Sequence, residues 1–185
     1  LMVELGDKLD LSVKTVTGQT LGECIKGSEN FNTGVIRTLD NPVYHEGSLA
    51  VLKGNLAPDG AVIKPAAMDP KFQKHKGPAI VADSYAELKE IINDENYPIT
   101  VDHILVLRNA GPKGGPGMPE WGMIPMPKAL LKQGHRDMIR LSDARMSGTS
   151  YGACILHVAP EAYIRGPLAL IKNGDIIEAV SYTHL

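Results

Sequence analysis

Ala79-Ile-Val-Ala-Asp-Ser-Tyr-Ala-Glu-Leu-Lys-Glu-Ile-Ile92 places a short apolar run against a capped helix, and the same grammar recurs along the chain. The run Ala79 to Ala82 has strand length. Ser84-Tyr-Ala-Glu87 then has the form of a capping box, and Leu88, Ile91 and Ile92 make one apolar stripe. Further short runs bounded by Gly, Pro, Asp or Asn read as strands: Ala61 to Lys64, Ile104 to Arg108, Met138 to Ser142, Ala153 to Val158, Leu168 to Ile171 and Asp175 to Val180. A second, shorter helix is expected over Pro127 to Gln133, entered through proline and stopped by Gly134. A weaker one is expected around Thr20 to Lys26, and Phe31 to Glu46 reads as loop or turn, with Asn41-Pro42 disfavouring helix there. Many short strands, not regularly interleaved with few helices, predict a mixed β fold with flanking helices. A closed or nearly closed barrel fits this pattern better than a doubly wound sheet.

The 185 residues fit one domain able to bury a core without staples. A net charge of -2 gives no sequence-wide attraction for nucleic acid or an anionic membrane. No run approaches the roughly 20 apolar residues that span a bilayer, and no signal pattern opens the chain. The two cysteines, Cys24 and Cys154, are too far apart in sequence for a metal-type spacing or a disulfide framework, which points to a reducing cytoplasm. A single domain over residues 1–180 is expected, followed by a tail, 181–185, that continues no earlier pattern.

The chemistry-bearing candidates lie on two turns. Gly111-Pro-Lys-Gly-Gly-Pro-Gly-Met-Pro-Glu120 suits neither helix nor strand, because glycine is entropically costly in both and proline lacks a donor. It matches neither the Walker nor the dinucleotide spacing, and Pro112, Pro116 and Pro119 remove donors that a phosphate cradle would use. Glu120 is placed to ligate a hard cation or to be an ordinary surface carboxylate. Lys113 is open to neutralising a substrate carboxylate or simply to keeping the loop solvated.

The second turn is Asp143-Ala-Arg-Met-Ser-Gly-Thr149. Ser147 is not in a nucleophile elbow, since Arg145 and Thr149 occupy the two glycine positions. A triad with His157 or Asp143 is the weaker story, and capping a helix is the safer reading from spacing alone. His45, His75, His103, His135 and His157 show no metal-binding spacing; His157, near the end of an apolar run, is the one to follow.

Taken in order, Leu21-Gly-Glu23, the stretch Asn41 to Lys64 that begins Asn-Pro-Val-Tyr-His-Glu-Gly-Ser-Leu-Ala, Gly111 to Glu120, Ser142 to Gly148 and His157-Val-Ala-Pro-Glu161 resemble signatures of the dihydroxy-acid and sugar-acid dehydratases. The likeness is to their C-terminal, swivelling β-barrel domain and runs nearly end to end. It implies dehydration of a 2,3-dihydroxy carboxylate to a 2-keto-3-deoxy acid. It also implies a magnesium ion and an iron-sulfur cluster held mainly by a separate N-terminal domain, without which this chain is inactive, and a homo-oligomer, dimer or tetramer. By the same resemblance Glu120 is the magnesium ligand from this half, Ser147 the base at C2, Thr149 part of the same site and Lys113 a substrate contact. Asp-Ala-Arg-Met-Ser-Gly stands where the branched-chain enzymes usually have Asp-Gly-Arg-Phe-Ser-Gly, so an aldonate such as a pentonate or hexonate is the expected substrate. The competing reading is a self-standing small-anion-binding or assembly module.

Overall fold

The computed structural model describes residues 1–45, 47–148 and 151–181. Contacts divide the chain into two compact units, Leu1–Glu46 and Gly47–Leu185. The first contains two short helices, α1 (Met2–Leu5) and α2 (Leu21–Ile25). Although α2 is short, it is entered through a complete capping box: Thr20 accepts from the Glu23 N–H, and Glu23 accepts from the Thr20 N–H. At Ser84 the expected box forms only in part. Ser84 accepts from the Glu87 N–H, while the Glu87 carboxylate reaches one residue further back, to the N–H of Asp83.

The second unit holds one seven-stranded sheet. Its strands are β1 (Ala50–Leu52), β2 (Gly60–Ile63), β3 (Lys74–Ala82), β4 (Ile104–Leu107), β5 (Arg140–Ser142), β6 (Cys154–Ala159) and β7 (Ile176–Val180). Their order in the sheet is β1-β2-β6-β5-β4-β3-β7. The four central strands, β6 to β3, run parallel, and β1, β2 and β7 extend the sheet antiparallel. A nine-residue helix, α3 (Tyr85–Asn93), links β3 to β4, and α4 (Lys128–Lys132) lies between β4 and β5. The middle of the chain is therefore interleaved strand by helix, contrary to the sequence expectation. All four residues of β4 are buried, as expected of a parallel strand covered on both faces.

The expected closed or nearly closed barrel is corrected to an open half-barrel. β1 and β7 end the sheet and do not pair with each other. They nevertheless line one cavity of about 300 Å³ together with Leu141 of β5 and Ile155 and Val158 of β6, so the sheet curls around that space without closing. Leu168 to Ile171 is also corrected: the run forms a 3-10 turn over Pro167–Leu170, with proline opening the turn and Leu170 left exposed. β1, which the sequence pattern did not mark, pairs residue by residue with Ala61 to Ile63 of β2.

One buried ion pair ties the strands to the segment leading into β6. Arg140 and Asp137 are 1% and 7% exposed, with Arg140 Nη2 2.9 Å from Asp137 Oδ1. Arg140 also donates to the carbonyls of Ile124 and Tyr151, and Asp137 accepts from the N–H groups of Asp69 and Ala153. Gly152 leaves room for this pair: its φ is +94°, and a Cβ there would lie 1.9 Å from Arg140 Nη2. Arg140→Leu strands a buried carboxylate and is expected to cost about 3–5 kcal/mol in urea denaturation. A loss under about 1 kcal/mol would show that the pair is not a structural clamp.

Candidate functional site

Both chemistry-bearing turns leave the C-terminal ends of central parallel strands. The chain passes from β4 into the Gly111–Glu120 loop and from β5 into the Ser147 turn. The first is held from inside by two buried carboxylates. Asp143 accepts from the N–H groups of Asn109, Ala110 and Ala162 at 3.2, 2.9 and 2.9 Å. Glu161 accepts from the N–H groups of Lys113 and Gly114, each at 3.0 Å. The loop amides thus point at the protein's own carboxylate, which agrees with the failure of the phosphate-loop spacing. Burial pushes the Asp143 carboxyl above its ordinary value of 3.8; the three backbone donors oppose the shift and the nearby Glu161 charge adds to it.

The second turn is laced to the first by Arg145. Its Nη1 lies 2.9 Å from Glu120 Oε1, its Nε donates to the Met118 carbonyl, and its own carbonyl accepts from the Gly122 N–H at 2.8 Å. That last contact needs glycine, because a Cβ at 122 would sit 2.6 Å from the Arg145 oxygen. Glu120 is therefore attached to the turn that bears Ser147, two residues beyond Arg145. Both members of the ion pair remain accessible, Arg145 at 42% and Glu120 at 48%.

Ser147 is half-buried and lines a cavity of about 170 Å³ with Lys64, His157, Cys154 and the apolar side chains of Leu49, Val62, Met146 and Leu156. Lys64, just past the end of β2, donates from Nζ to the Gly148 carbonyl at 2.7 Å and so ties down the residue after Ser147. His157, exposed and with φ +54°, shares the cavity. The carboxylate of Asp143 is engaged by backbone amides, which leaves the Ser-His-Asp triad without its acid. Gly148 lies in a turn, and the next strand among the described residues is β6. The Lys113 side chain is exposed on the loop. Thr149 lies outside the described residues.

Sequence reasoning missed Lys64, Arg145 and the scaffold role of Asp143 and Glu161. Lys64 had a signal, as a single charge ending an apolar run. The carboxylates had none, because a local pattern does not reveal which amides a distant acid will meet.

Among the described residues no three His, Cys, Asp or Glu side chains converge to hold a metal ion. Cys24 is exposed, and Cys154 is buried with its thiol pushed up by desolvation, towards the protonated form that is a poor metal ligand. These residues do not fit an iron-sulfur cluster. Glu120 does fit a single-ligand contribution to a hard cation: it offers carboxylate oxygen, is accessible, and already holds a cationic group. No helix among the described residues is long and apolar enough to cross a membrane.

Residues 34–183 match the family model described as dihydroxy-acid/6-phosphogluconate dehydratase C-terminal. The chain is 49% identical over 181 residues to a 6-deoxy-6-sulfo-D-gluconate dehydratase of Pseudomonas putida, covering 96% of this chain and 31% of that protein. It is 49% identical over 164 residues to an L-arabonate dehydratase of Azospirillum brasilense, covering 89% and 28%. Against a dihydroxy-acid dehydratase of Methanobrevibacter smithii it is 47% identical over 174 residues, covering 94% and 31%. The chain thus spans about a third of the length of these relatives.

Asp143→Asn places an amide NH2 against at least one backbone donor in either flip state and is expected to destabilise the fold by about 1–3 kcal/mol. Because the folded-state value of Asp143 is raised, its protonation favours the folded state. That contribution is fully present below the ordinary value of 3.8 and is lost as pH rises through the folded-state value. The penalty of Asp143→Asn, measured by urea denaturation, is therefore expected to be larger at pH 4 than at pH 7. A penalty that is equal or smaller at pH 4 would contradict this.

Proposed function

Because the chain belongs to the dihydroxy-acid/6-phosphogluconate dehydratase C-terminal family, we propose that it is the C-terminal part of a hydro-lyase acting on a 2,3-dihydroxy carboxylate. The reaction removes the C2 proton and the C3 hydroxyl as water, and the resulting enol tautomerises to a 2-keto-3-deoxy acid. The observation that supports the proposal is the lacing of Glu120 to the Ser147 turn through Arg145, which joins the two segments that bear these residues.

Ser147 takes the proton from C2. A serine hydroxyl is too weak an acid to be ionised near neutral pH unless positive charge lies close by. In this chain that charge comes from Lys64, which shares the Ser147 cavity, and the cavity's apolar walls strengthen charge interactions inside it. Glu120 supplies one oxygen to a magnesium ion whose other ligands come from outside the described residues. When bound, the ion adds Lewis-acid polarisation of the substrate oxygens. Lys113, exposed on the same loop, holds the substrate carboxylate, and Thr149 belongs to the same site.

The substrate is a sugar acid of the aldonate class. This is supported by the Asp-Ala-Arg-Met-Ser-Gly turn and by the similarity to proteins named for sulfogluconate and arabonate. The enzyme works as a homo-oligomer together with an N-terminal region that holds the cluster. Its setting is the cytoplasm, in keeping with two unpaired cysteines.

The chain alone is expected to turn nothing over. Mixed with an N-terminal region loaded with cluster and magnesium, it is expected to dehydrate aldonates, and Ser147→Ala is expected to lower kcat about 10²- to 10⁴-fold with an unchanged thermal unfolding profile. Undiminished turnover by the Ser147→Ala complex would remove the serine from the chemistry.

A further inference from the structure

Arg145 holds the Met118–Gly122 stretch through three separate groups, and only one of them involves the Glu120 carboxylate. Its Nε bond to the Met118 carbonyl and the Gly122 bond to its own carbonyl fasten the two turns whether or not Nη1 contacts Glu120. Both side chains of the ion pair are accessible to solvent, a setting in which such pairs are weak and readily exchanged. On the carboxylate, Oε1 carries the guanidinium contact, and Oε2 makes no hydrogen bond or ion pair among the described residues. A carboxylate held in this way has one oxygen open to a hard cation and the other covered by a charge that competes with it.

We propose that the Arg145 guanidinium is an exchangeable counter-cation for Glu120. It orients the carboxylate beside the Ser147 turn until a divalent cation takes the oxygen. Nη1 is then released while Nε and the backbone bond keep the turns together. The exchange leaves the positive charge of Arg145 two residues from Ser147. The inference rests on Glu120 as the metal ligand of the proposed function and adds a role for Arg145, which orients the ligand and restrains its affinity at the same time.

Paramagnetic broadening by Mn²⁺ tests this on the chain itself, read from the backbone amide signals of Glu120, Trp121 and Gly122. In the wild type the broadening is expected to centre on Glu120 and to be reversed by Mg²⁺. Arg145→Gln is expected to reach half-maximal broadening at a Mn²⁺ concentration roughly two- to fivefold lower, the factor by which an exposed ion pair competes. Arg145→Lys, which keeps the charge, should stay near the wild type, and Glu120→Gln should abolish the local broadening. Should Arg145→Gln fail to fold, the Arg145 Nε–H signal of the wild type decides, since saturation with Mg²⁺ is expected to shift it.

Broadening that depends on Glu120 but is unchanged or weaker in Arg145→Gln would overturn the exchange while leaving Glu120 a ligand. So would an Nε–H signal that Mg²⁺ does not move. No Glu120-dependent broadening in either background would overturn the exchange on this chain, while the ligand role is judged separately by the magnesium dependence of the complex with the N-terminal region.

Discussion

Backbone amides that lie inside a protein but outside helices and strands must find acceptors, and in this chain Asp143 and Glu161 supply them. Five N–H groups, those of Asn109, Ala110, Lys113, Gly114 and Ala162, converge on these two carboxylates. Without them the segment after β4 would leave one buried and several part-buried donors unpaired, with no reason to keep one path. With them, a loop rich in glycine and proline is held in one course, and Glu120 at its far end has a fixed starting point.

Positive charge surrounds the serine turn in a similarly economical way. Lys64 comes from the end of β2 and fastens Gly148, and Arg145 comes from the turn itself and fastens Met118, Glu120 and Gly122. Each cation both positions backbone and leaves charge near Ser147. Buried carboxylates and partly exposed cations divide the work: Asp143 and Glu161 serve backbone amides, while Lys64 and Arg145 fasten the serine turn to other segments of the chain.

Much of the fold was legible because its signals are local. The strand runs and the helix after Ser84 follow from apolar period and capping, and the two turns stood out by composition. The sheet's openness was not legible, because whether β1 meets β7 depends on curvature accumulated over seven strands rather than on any residue in them. Leu168 to Ile171 has a strand's composition, and only Pro167 and the exposed Leu170 reveal the turn. In the candidate site, Glu120, Lys113 and Ser147 were identified on family likeness and residue chemistry. What joins the Glu120 segment to the turn bearing Ser147 is the guanidinium of Arg145, whose partners are 25 and 27 residues away in sequence. Such pairings are tertiary facts that spacing rules do not reach.

The most direct test of this account is amide hydrogen exchange at Ala110, Lys113 and Gly114, residues without helix or strand bonds whose only acceptors among the described residues are the two buried carboxylates. Protection approaching that of Leu105 and Val106 in β4 is the predicted result. Exchange as fast as that of Asn96, whose N–H bonds Asp94 in an exposed turn, would contradict the claim that the carboxylates hold the loop.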